Sequence, residues 1–282
     1  MNKDCKLKRF GNSTHRIIQT ISIILCVLFF SSTIKADTYI VGAQNIEYSP
    51  YYNFSSPHEK GLGWAILEAF SKHSGHQFIY LSMPVKRLQI ELKKGNVDFV
   101  FPDNPRWNDP ITYSVDKAYS FPLVDTFAVT LVKPENKGKG IGFVSNLIIP
   151  DGFTPAKWKK QINENTVNVI GVNSVYEGLS LLNKEKANAM DIEYNVAQRI
   201  LRRYPNIGEF TADLTLPYNT VSFSVSTLKH PDIIHELNAF LNSNSKTINE
   251  IKNKYGIEET KQLTQRLMKQ QGLTKNVLWS AL

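Results

Sequence analysis

The feature that most restricts the fold of this chain is a regular alternation of strand-like and helix-like segments. Three short apolar runs alternate with two segments whose apolar residues recur at helical spacing, in the order 38–43, 63–73, 77–81, 86–94 and 97–101. Gly75 and Gly95 follow the two helical segments, and glycine takes the left-handed conformation of a helix C-cap at little cost. This β–α–β–α–β order predicts a parallel sheet with helical crossovers.

A second alternating set follows. We predict its elements as strands 126–132, 167–172, 189–192 and 221–225 and helices 175–182, 195–203 and 235–255. Long strands near 126–132 and 213–224 connect the two sets, and a short tail rich in Lys and Gln ends the chain. The sequence therefore predicts an α/β fold of two lobes, each a mixed sheet flanked by helices, joined by two hinge strands.

The predicted lobes are discontinuous in sequence. Lobe 1 is expected over 37–130 and, after the chain returns, over 221–282 with the tail, whereas lobe 2 is expected over 131–220. Ligands of open α/β sheets bind at the carboxyl ends of the strands. We therefore expect the binding site in the cleft between the lobes.

The first 36 residues have the pattern of a secretory signal peptide. A basic stretch precedes the mostly apolar segment 17–30, and a short polar exit ends at Ala36. Because Ile34 is an imperfect residue before a cleavage site, an uncleaved signal anchor is the alternative. Cleavage after Ala36 would remove Cys5 and Cys26, which leaves a mature chain without disulfides or thiolates. Export without disulfides indicates a bacterial periplasm.

Composition excludes several classes of protein. Hydrophobic residues make up 42% and charged residues 21% of the chain, which argues against a disordered or polytopic membrane protein. The formal charge of +8 misleads, because residues 1–36 alone contribute +5 of it. The remaining chain is close to neutral at +3, so its charge does not predict nucleic-acid binding.

Several segments occur in the order found in a known family. They are Tyr48-Ser-Pro-Tyr-Tyr52, Gly63 at the start of a helix, Leu92-Lys-Lys-Gly-Asn-Val-Asp-Phe-Val100, Ile111-Thr-Tyr-Ser114, Val169-Ile-Gly-Val-Asn-Ser174, Ala187-Asn-Ala-Met-Asp191 and 248–256. Over residues 38–258 the chain resembles the family 3 bacterial extracellular solute-binding proteins. This resemblance implies a type II periplasmic-binding fold that closes on a small polar solute, usually an amino acid, and delivers it to an inner-membrane ABC transporter.

The chain departs from the amino-acid-binding pattern of that family in three places. Leu67 stands where the family carries an Asp in the first helix. The loop after Asp98 is shorter than usual, so that Arg106 is the nearest counterpart of the arginine that grips the ligand's carboxylate. Pro84-Val-Lys-Arg87 resembles a branch that is often not linked to a transporter.

In lobe 1, Arg106 is the candidate carboxylate clamp, because a guanidinium can bond both carboxylate oxygens. Its alternative is a surface arginine in a turn framed by prolines. Asp103 and Asn104 are candidates for binding a cationic or polar group, although Pro-Asp-Asn-Pro is also common turn chemistry.

Aromatic side chains and one further arginine complete the lobe 1 candidates. Tyr48, Tyr51 and Tyr52 follow the first strand, where a tyrosine can stack on a ligand and donate its hydroxyl, and packing is the alternative for each. Trp107 presents the same choice. Arg87 is a cation at a helix N-terminus, an unfavourable place that favours a structural or ligand-paired role.

In lobe 2, Asn173 and Ser174 precede a predicted helix whose free N–H groups attract anions, and a plain N-cap is the alternative. The resemblance implies a carboxylate for the ligand's ammonium group close to Glu193. Helix capping is the alternative role for both Glu193 and the neighbouring Asp191. Together, Arg106 and Glu193 would bind the two ends of a zwitterion.

No cofactor or metal is predicted. The spacing of His73 and His76 does not make a metal site, and the glycines of 135–142 do not form a phosphate-binding motif. We expect a monomer that binds a small polar solute and contacts an ABC permease or a membrane receptor. The alternatives are an orphan ligand sensor and a periplasmic dehydratase of prephenate or arogenate type, for which Glu193 is the acid–base candidate.

Overall fold

The computed structural model describes residues 36–107, 111–112 and 115–273. The chain divides into two units, Met1–Ala36 and Asp37–Leu282, and every strand and helix of the described residues belongs to the second. Residues 1–35 of the predicted signal peptide and the end of the predicted tail, 274–282, lie outside the described residues.

Ten strands form within the described residues: β1 Thr38–Gln44, β2 Gln77–Met83, β3 Phe99–Asp103, β4 Ala118–Tyr119, β5 Val124–Val132, β6 Asn146–Pro150, β7 Asn168–Val172, β8 Ala189–Glu193, β9 Thr211–Ala212 and β10 Asn219–Thr227.

Eight α-helices accompany them in the same part of the chain: α1 Leu62–Ser74, α2 Val85–Lys94, α3 Lys159–Asn163, α4 Val175–Asn183, α5 Tyr194–Arg203, α6 Pro231–Ser243, α7 Ser245–Lys254 and α8 Thr260–Gln270. Short 3-10 turns include Pro105–Trp107 and Ala156–Trp158.

The strands follow the order β2-β1-β3-β10-β5-β8-β6-β7, with β4 beside β10 and β9 beside β5. β1 is parallel to β2 and β3, and β6 is parallel to β7 and β8, as helical crossovers require. β5 and β10 pair antiparallel with each other. On its other side, β5 pairs with β8 of the second group of strands, and β10 pairs with β3 of the first group. The predicted two-lobed fold with two hinge strands is therefore confirmed.

Helix periodicity and glycine stops locate α1 and α2 as the sequence predicts. Leu88 and Leu92 on α2 pack with Val97 and Val100 in one buried cluster. Gly95 ends α2 in the left-handed conformation, with φ 76°.

Three features of the second half go beyond the sequence prediction. The strand β6 was not predicted, although it lies between β7 and β8. The helical region expected over 235–255 consists of two helices, α6 and α7, because the chain breaks at Asn244. Part of the Lys- and Gln-rich tail forms α8, whose Leu263 and Leu267 are buried.

Candidate functional site

A cleft of about 880 Å³ opens at the carboxyl ends of the strands of both lobes. Gln44 and Asp103 at the ends of β1 and β3 line it, as do Pro150 and Glu193 at the ends of β6 and β8. Polar and aromatic groups from separate parts of the chain meet there because parallel strands of one sheet present the same end to the same side. The cleft lies where the strand order predicts a ligand.

Aromatic rings form much of the cleft wall. Tyr48 stacks on Tyr52 with ring centroids 5.2 Å apart, and its other neighbour is Phe153, 5.3 Å away. Phe223 on the hinge strand β10 lies 5.9 Å from Tyr52 and 6.2 Å from Trp107. The sequence analysis missed Phe153 and Phe223, since nothing in their local pattern distinguishes a cleft aromatic from a core aromatic.

The hydroxyls of Tyr48 and Tyr52 have protein partners. Tyr52 donates to Gln44 Oε1 at 2.6 Å, and Tyr48 accepts the backbone N–H of Glu193 at 3.2 Å. Burial raises the pKa of both tyrosines well above the ordinary value of 10.0. Both rings therefore remain neutral and serve as apolar surface with a polar edge.

Glu193 is the N-cap of α5, and its carboxylate is almost completely buried. Its Oε2 accepts the N–H of Val196 at 2.8 Å. Its Oε1 accepts the hydroxyl of Tyr51 at 2.9 Å and the N–H of Phe127 at 3.3 Å. Burial raises the pKa of Glu193 to about 7, although these hydrogen bonds oppose the rise. Glu193 therefore both caps α5 and lines the cleft.

Asp103 lines the cleft but its charge is already neutralised. Its Oδ2 lies 2.9 Å from Lys117 Nζ and accepts the hydroxyl of Ser226 at 2.6 Å. The side chains of Asp103 and Lys117 are 2% and 7% exposed, so this pair is buried. Since Lys117 neutralises its charge and its other oxygen, Oδ1, already accepts the N–H of Asn104 at 2.8 Å, Asp103 is a poor ligand for a cationic group. The sequence analysis missed Lys117, because no local pattern pairs residues 14 positions apart.

Arg106 lines the cleft from the 3-10 turn after β3 and is solvent-exposed. Its Nη2 donates to the carbonyl of Thr220 on β10 at 2.7 Å. The turn itself is held by Asn104, whose Oδ1 accepts the N–H of Arg106 at 2.9 Å. Among residues 36–107, 111–112 and 115–273, Arg106 makes no ion pair. A guanidinium has five N–H donors, so several remain for a ligand.

Five sequence candidates lie outside the cleft lining among the described residues: Tyr51, Arg87, Asn104, Asn173 and Ser174. Arg87 is a correction, because its side chain is 66% exposed and pairs with Glu91 at 3.5 Å along α2. Asn104 is also a correction, because both ends of its side-chain amide bond to backbone groups of the turn and of β10.

For the lobe 2 pair Asn173 and Ser174, the structure shows the capping role that the sequence allows beside anion binding, and neither residue lines the cleft. Ser174 Oγ accepts the N–H of Glu177 at 3.1 Å, and Glu177 reaches back to the N–H of Asn173 at 2.9 Å. This arrangement closely resembles a capping box, so the capping alternative explains both residues. Tyr51 does not line the cleft itself, but its hydroxyl donates a hydrogen bond to Glu193, which does.

The wall of the cleft in lobe 2 contains a buried ion pair between Lys157 and Asp191 that the sequence did not predict. Lys157, from the 3-10 turn Ala156–Trp158, pairs with Asp191 Oδ1, and both residues line the cleft. Their side chains are 7% and 13% exposed. Burial lowers the pKa of Lys157, and the charge of Asp191 opposes that change. Thirty-four residues separate them, so only the tertiary structure brings them together.

In the described part of the chain, no cluster of three or more His, Cys, Asp or Glu side chains is arranged to hold a metal ion. No helix among these residues has the length and apolar character needed to span a membrane.

No protein-family model matches the chain, and no curated protein sequence matches it. Solved structures do. An ancestral arginine-binding protein bound to arginine is 18% identical and has a TM-score of 0.63, over 77% of this chain and 97% of that chain. The GluR0 ligand-binding core in complex with L-glutamate is 13% identical, with a TM-score of 0.62 over 77% and 97% of the two chains.

A third solved structure agrees with these two. An arginine third transport system periplasmic binding protein from Legionella pneumophila is 13% identical, with a TM-score of 0.59 over 78% of this chain and all of that chain. At such low identities the similarity establishes the fold, which is the two-lobed fold of periplasmic binding proteins.

Proposed function

We propose that this protein is a periplasmic solute-binding protein that closes on an amino acid or a similar zwitterion. In this proposal the segment up to Ala36 directs export, and lobe 1 (37–130 and 221–282) and lobe 2 (131–220) close about the hinge strands. The bound solute is passed to an inner-membrane ABC permease or presented to a membrane receptor. Ligand binding shifts the open–closed equilibrium because only the closed form contacts the ligand from both sides.

One observation carries the proposal: a cation and a carboxylate from different lobes line the same cleft. Arg106 follows β3 of the first lobe, and Glu193 ends β8 of the second. A zwitterion offers a carboxylate to Arg106 and an ammonium group to Glu193, and the aromatic wall between them supplies apolar contact. The solved structures with this fold that bind arginine or L-glutamate support the same ligand class.

A thermal-shift screen of the purified protein against amino acids, organic acids and short peptides tests this function. A specific ligand raises the melting temperature in step with its concentration, because it binds only the folded state. We expect Arg106→Ala to reduce affinity by about tenfold or more, since one charge-assisted hydrogen-bonded contact contributes about 1.5–3 kcal/mol.

Arg87→Ala is the matched control, because Arg87 is also an exposed arginine of the same lobe but lies outside the cleft lining. It should leave the ligand response unchanged. An intact response in Arg106→Ala would show that the carboxylate clamp is assigned to the wrong residue. A screen in which no amino acid raises the melting temperature would overturn the function itself.

An enzyme on the same fold is the second candidate, and one observation favours it. The pKa of Glu193 near 7 is in the range that suits a general acid or base at neutral pH. Incubation with prephenate and arogenate, with Glu193→Gln as the comparison, tests this alternative. Product formation that depends on Glu193 would favour the dehydratase, and its absence supports a binding role.

A further inference from the structure

Lys157 is a buried cation in the wall of the cleft whose hydrogen-bonding capacity is largely unused. An ammonium group has three N–H donors. Within the described residues, Asp191 is the only hydrogen-bond partner of Lys157 Nζ. Burying an ammonium group without satisfying its donors is unfavourable, so the unused donors favour an acceptor from outside the chain.

The position of this ion pair relates it to the proposed ammonium site. Asp191 and Glu193 are two residues apart on β8, so their side chains leave the same face of the sheet, about 6.6 Å apart along the strand. Lys157, paired with Asp191, therefore lines the cleft on the same side of β8 as Glu193. A ligand whose ammonium group contacts Glu193 would bring its own side chain within reach of Lys157.

The charge of the cleft wall also favours an additional negative group on the ligand. Four basic side chains line the cleft, Arg106, Lys157, Lys159 and Lys160, against three acidic ones, Asp103, Asp191 and Glu193. Lys117 just behind the wall neutralises Asp103. With Asp103 neutralised and Glu193 matched to an ammonium group, the wall retains an excess of positive charge.

We infer that the ligand is a dicarboxylic amino acid, with its α-carboxylate on Arg106, its ammonium group on Glu193 and its second carboxylate on Lys157. This inference rests on the proposed function, because it names the ligand class of the same cleft. Lys157 is then the residue that distinguishes an acidic side chain from its amide, and Asp191 is the residue that positions it.

Calorimetric titration with L-glutamate and L-glutamine tests the inference, because the two ligands have nearly the same shape and differ in one charge. Protein from a host expressing the full chain is first freed of carried-over ligand by reversible unfolding and dialysis. We expect L-glutamate to bind about tenfold or more tightly than L-glutamine, because a hydrogen bond to a charged group is stronger than one to a neutral amide. L-aspartate and L-asparagine provide a second matched pair.

The double variant Lys157→Met/Asp191→Asn removes both charges together, so that neither is left buried and unpaired. We expect this variant to lose the preference for L-glutamate while it still binds L-glutamine. Lys184→Met, an exposed lysine of lobe 2 outside the cleft lining, is the control and should keep the preference. Circular dichroism verifies that each variant is folded, and the comparison of ligands on the wild type stands even if the double variant does not fold.

Three results would overturn the inference and leave the proposed function intact. The first is equal or tighter binding of the amide, and the second is a preference for L-glutamate that survives the double variant. The third is specific binding of a different amino acid with no response to either acidic ligand. A complete absence of binding across all amino acids would instead remove the proposed function, and the inference with it.

Discussion

At the residue scale, Glu193 combines a helix cap, a buried charge and a place on the cleft wall. Its carboxylate accepts hydrogen bonds from Tyr51, Phe127 and Val196, and these bonds stabilise the ionised form of the side chain. Burial nevertheless dominates and raises its pKa from 4.5 to about 7. The folded protein therefore prefers the protonated form of Glu193 more strongly than the unfolded chain does.

This preference predicts a pH dependence of stability. Because the folded pKa lies above the unfolded one, the contribution of Glu193 is full below pH 4.5 and is lost as the pH rises through about 7. The change is about 3 kcal/mol, at about 1.4 kcal/mol per pKa unit. Urea unfolding between pH 4.5 and 8 should show a steeper decline for the wild type than for Glu193→Gln, whose amide does not titrate. Parallel curves for the two proteins would contradict the raised pKa of Glu193, because the substitution is the only difference between them.

At the element scale, helix α1 is positioned by the tyrosine loop that precedes it. No side chain caps its N-terminus, and the N–H groups of Leu62 and Gly63 donate instead to the carbonyls of Pro50 and Tyr51. The loop carrying the cleft tyrosine Tyr52 is thus fixed to a rigid helix end. The part of the cleft wall that carries Tyr52 is therefore hydrogen-bonded directly to α1.

At Gly63 of α1 there is no room for a larger side chain. A Cβ at this position would lie 2.2 Å from ring atoms of Phe101, which is fully buried beneath Tyr52. We expect Gly63→Ala to destabilise the fold by about 1–3 kcal/mol, because overpacking outweighs the better helix propensity of alanine, about 0.5–1 kcal/mol. Urea unfolding measures the change.

Gly142→Ala is the control for Gly63→Ala, since no heavy atom lies within 4 Å of its added Cβ. It should change the stability by less than about 0.5 kcal/mol. Equal effects of the two substitutions would mean that Phe101 accommodates the methyl group by moving.

At the scale of the whole molecule, residues of the two cleft walls contact each other. A Cβ at Gly152, in the loop after β6, would lie 2.9 Å from Cβ of Val85 at the start of α2. Tyr48 and Phe153 meet in the same region. These contacts join the two groups of strands in addition to the hinge strands themselves, as expected for lobes that close on one another.

A disulfide between positions 85 and 152 should therefore trap the closed form. Disulfides need Cβ atoms about 3.5–4.5 Å apart, which a small outward shift provides here. We expect oxidised Val85→Cys/Gly152→Cys protein to exchange ligand far more slowly than the same protein after reduction, as measured by release of a radiolabelled amino acid. The two single variants control for the substitutions. Unchanged exchange in the oxidised protein would argue against lobe closure as the step that admits the ligand.

Much of the architecture was accessible from the sequence because it depends on local patterns. Helix periodicity ended by Gly75 and Gly95 located α1 and α2, and the short apolar runs between them indicated a parallel sheet. The break at Asn244 was missed because both α6 and α7 carry apolar residues at helical spacing. The residues Ser243-Asn244-Ser245 were the available signal, since their side chains compete for backbone hydrogen bonds.

By itself, the sequence determined the alternation of strands and helices, apart from β4, β6 and β9, and it identified Arg106 and Glu193 as candidate binding residues. These follow from periodicity, from glycine conformations and from the order of family-like segments. Only the tertiary structure decided that Lys117 neutralises Asp103 and that Lys157 meets Asp191. Such pairs are set by how crossovers bring distant segments to one sheet edge, and no local pattern records which charges then come within a few ångströms of each other.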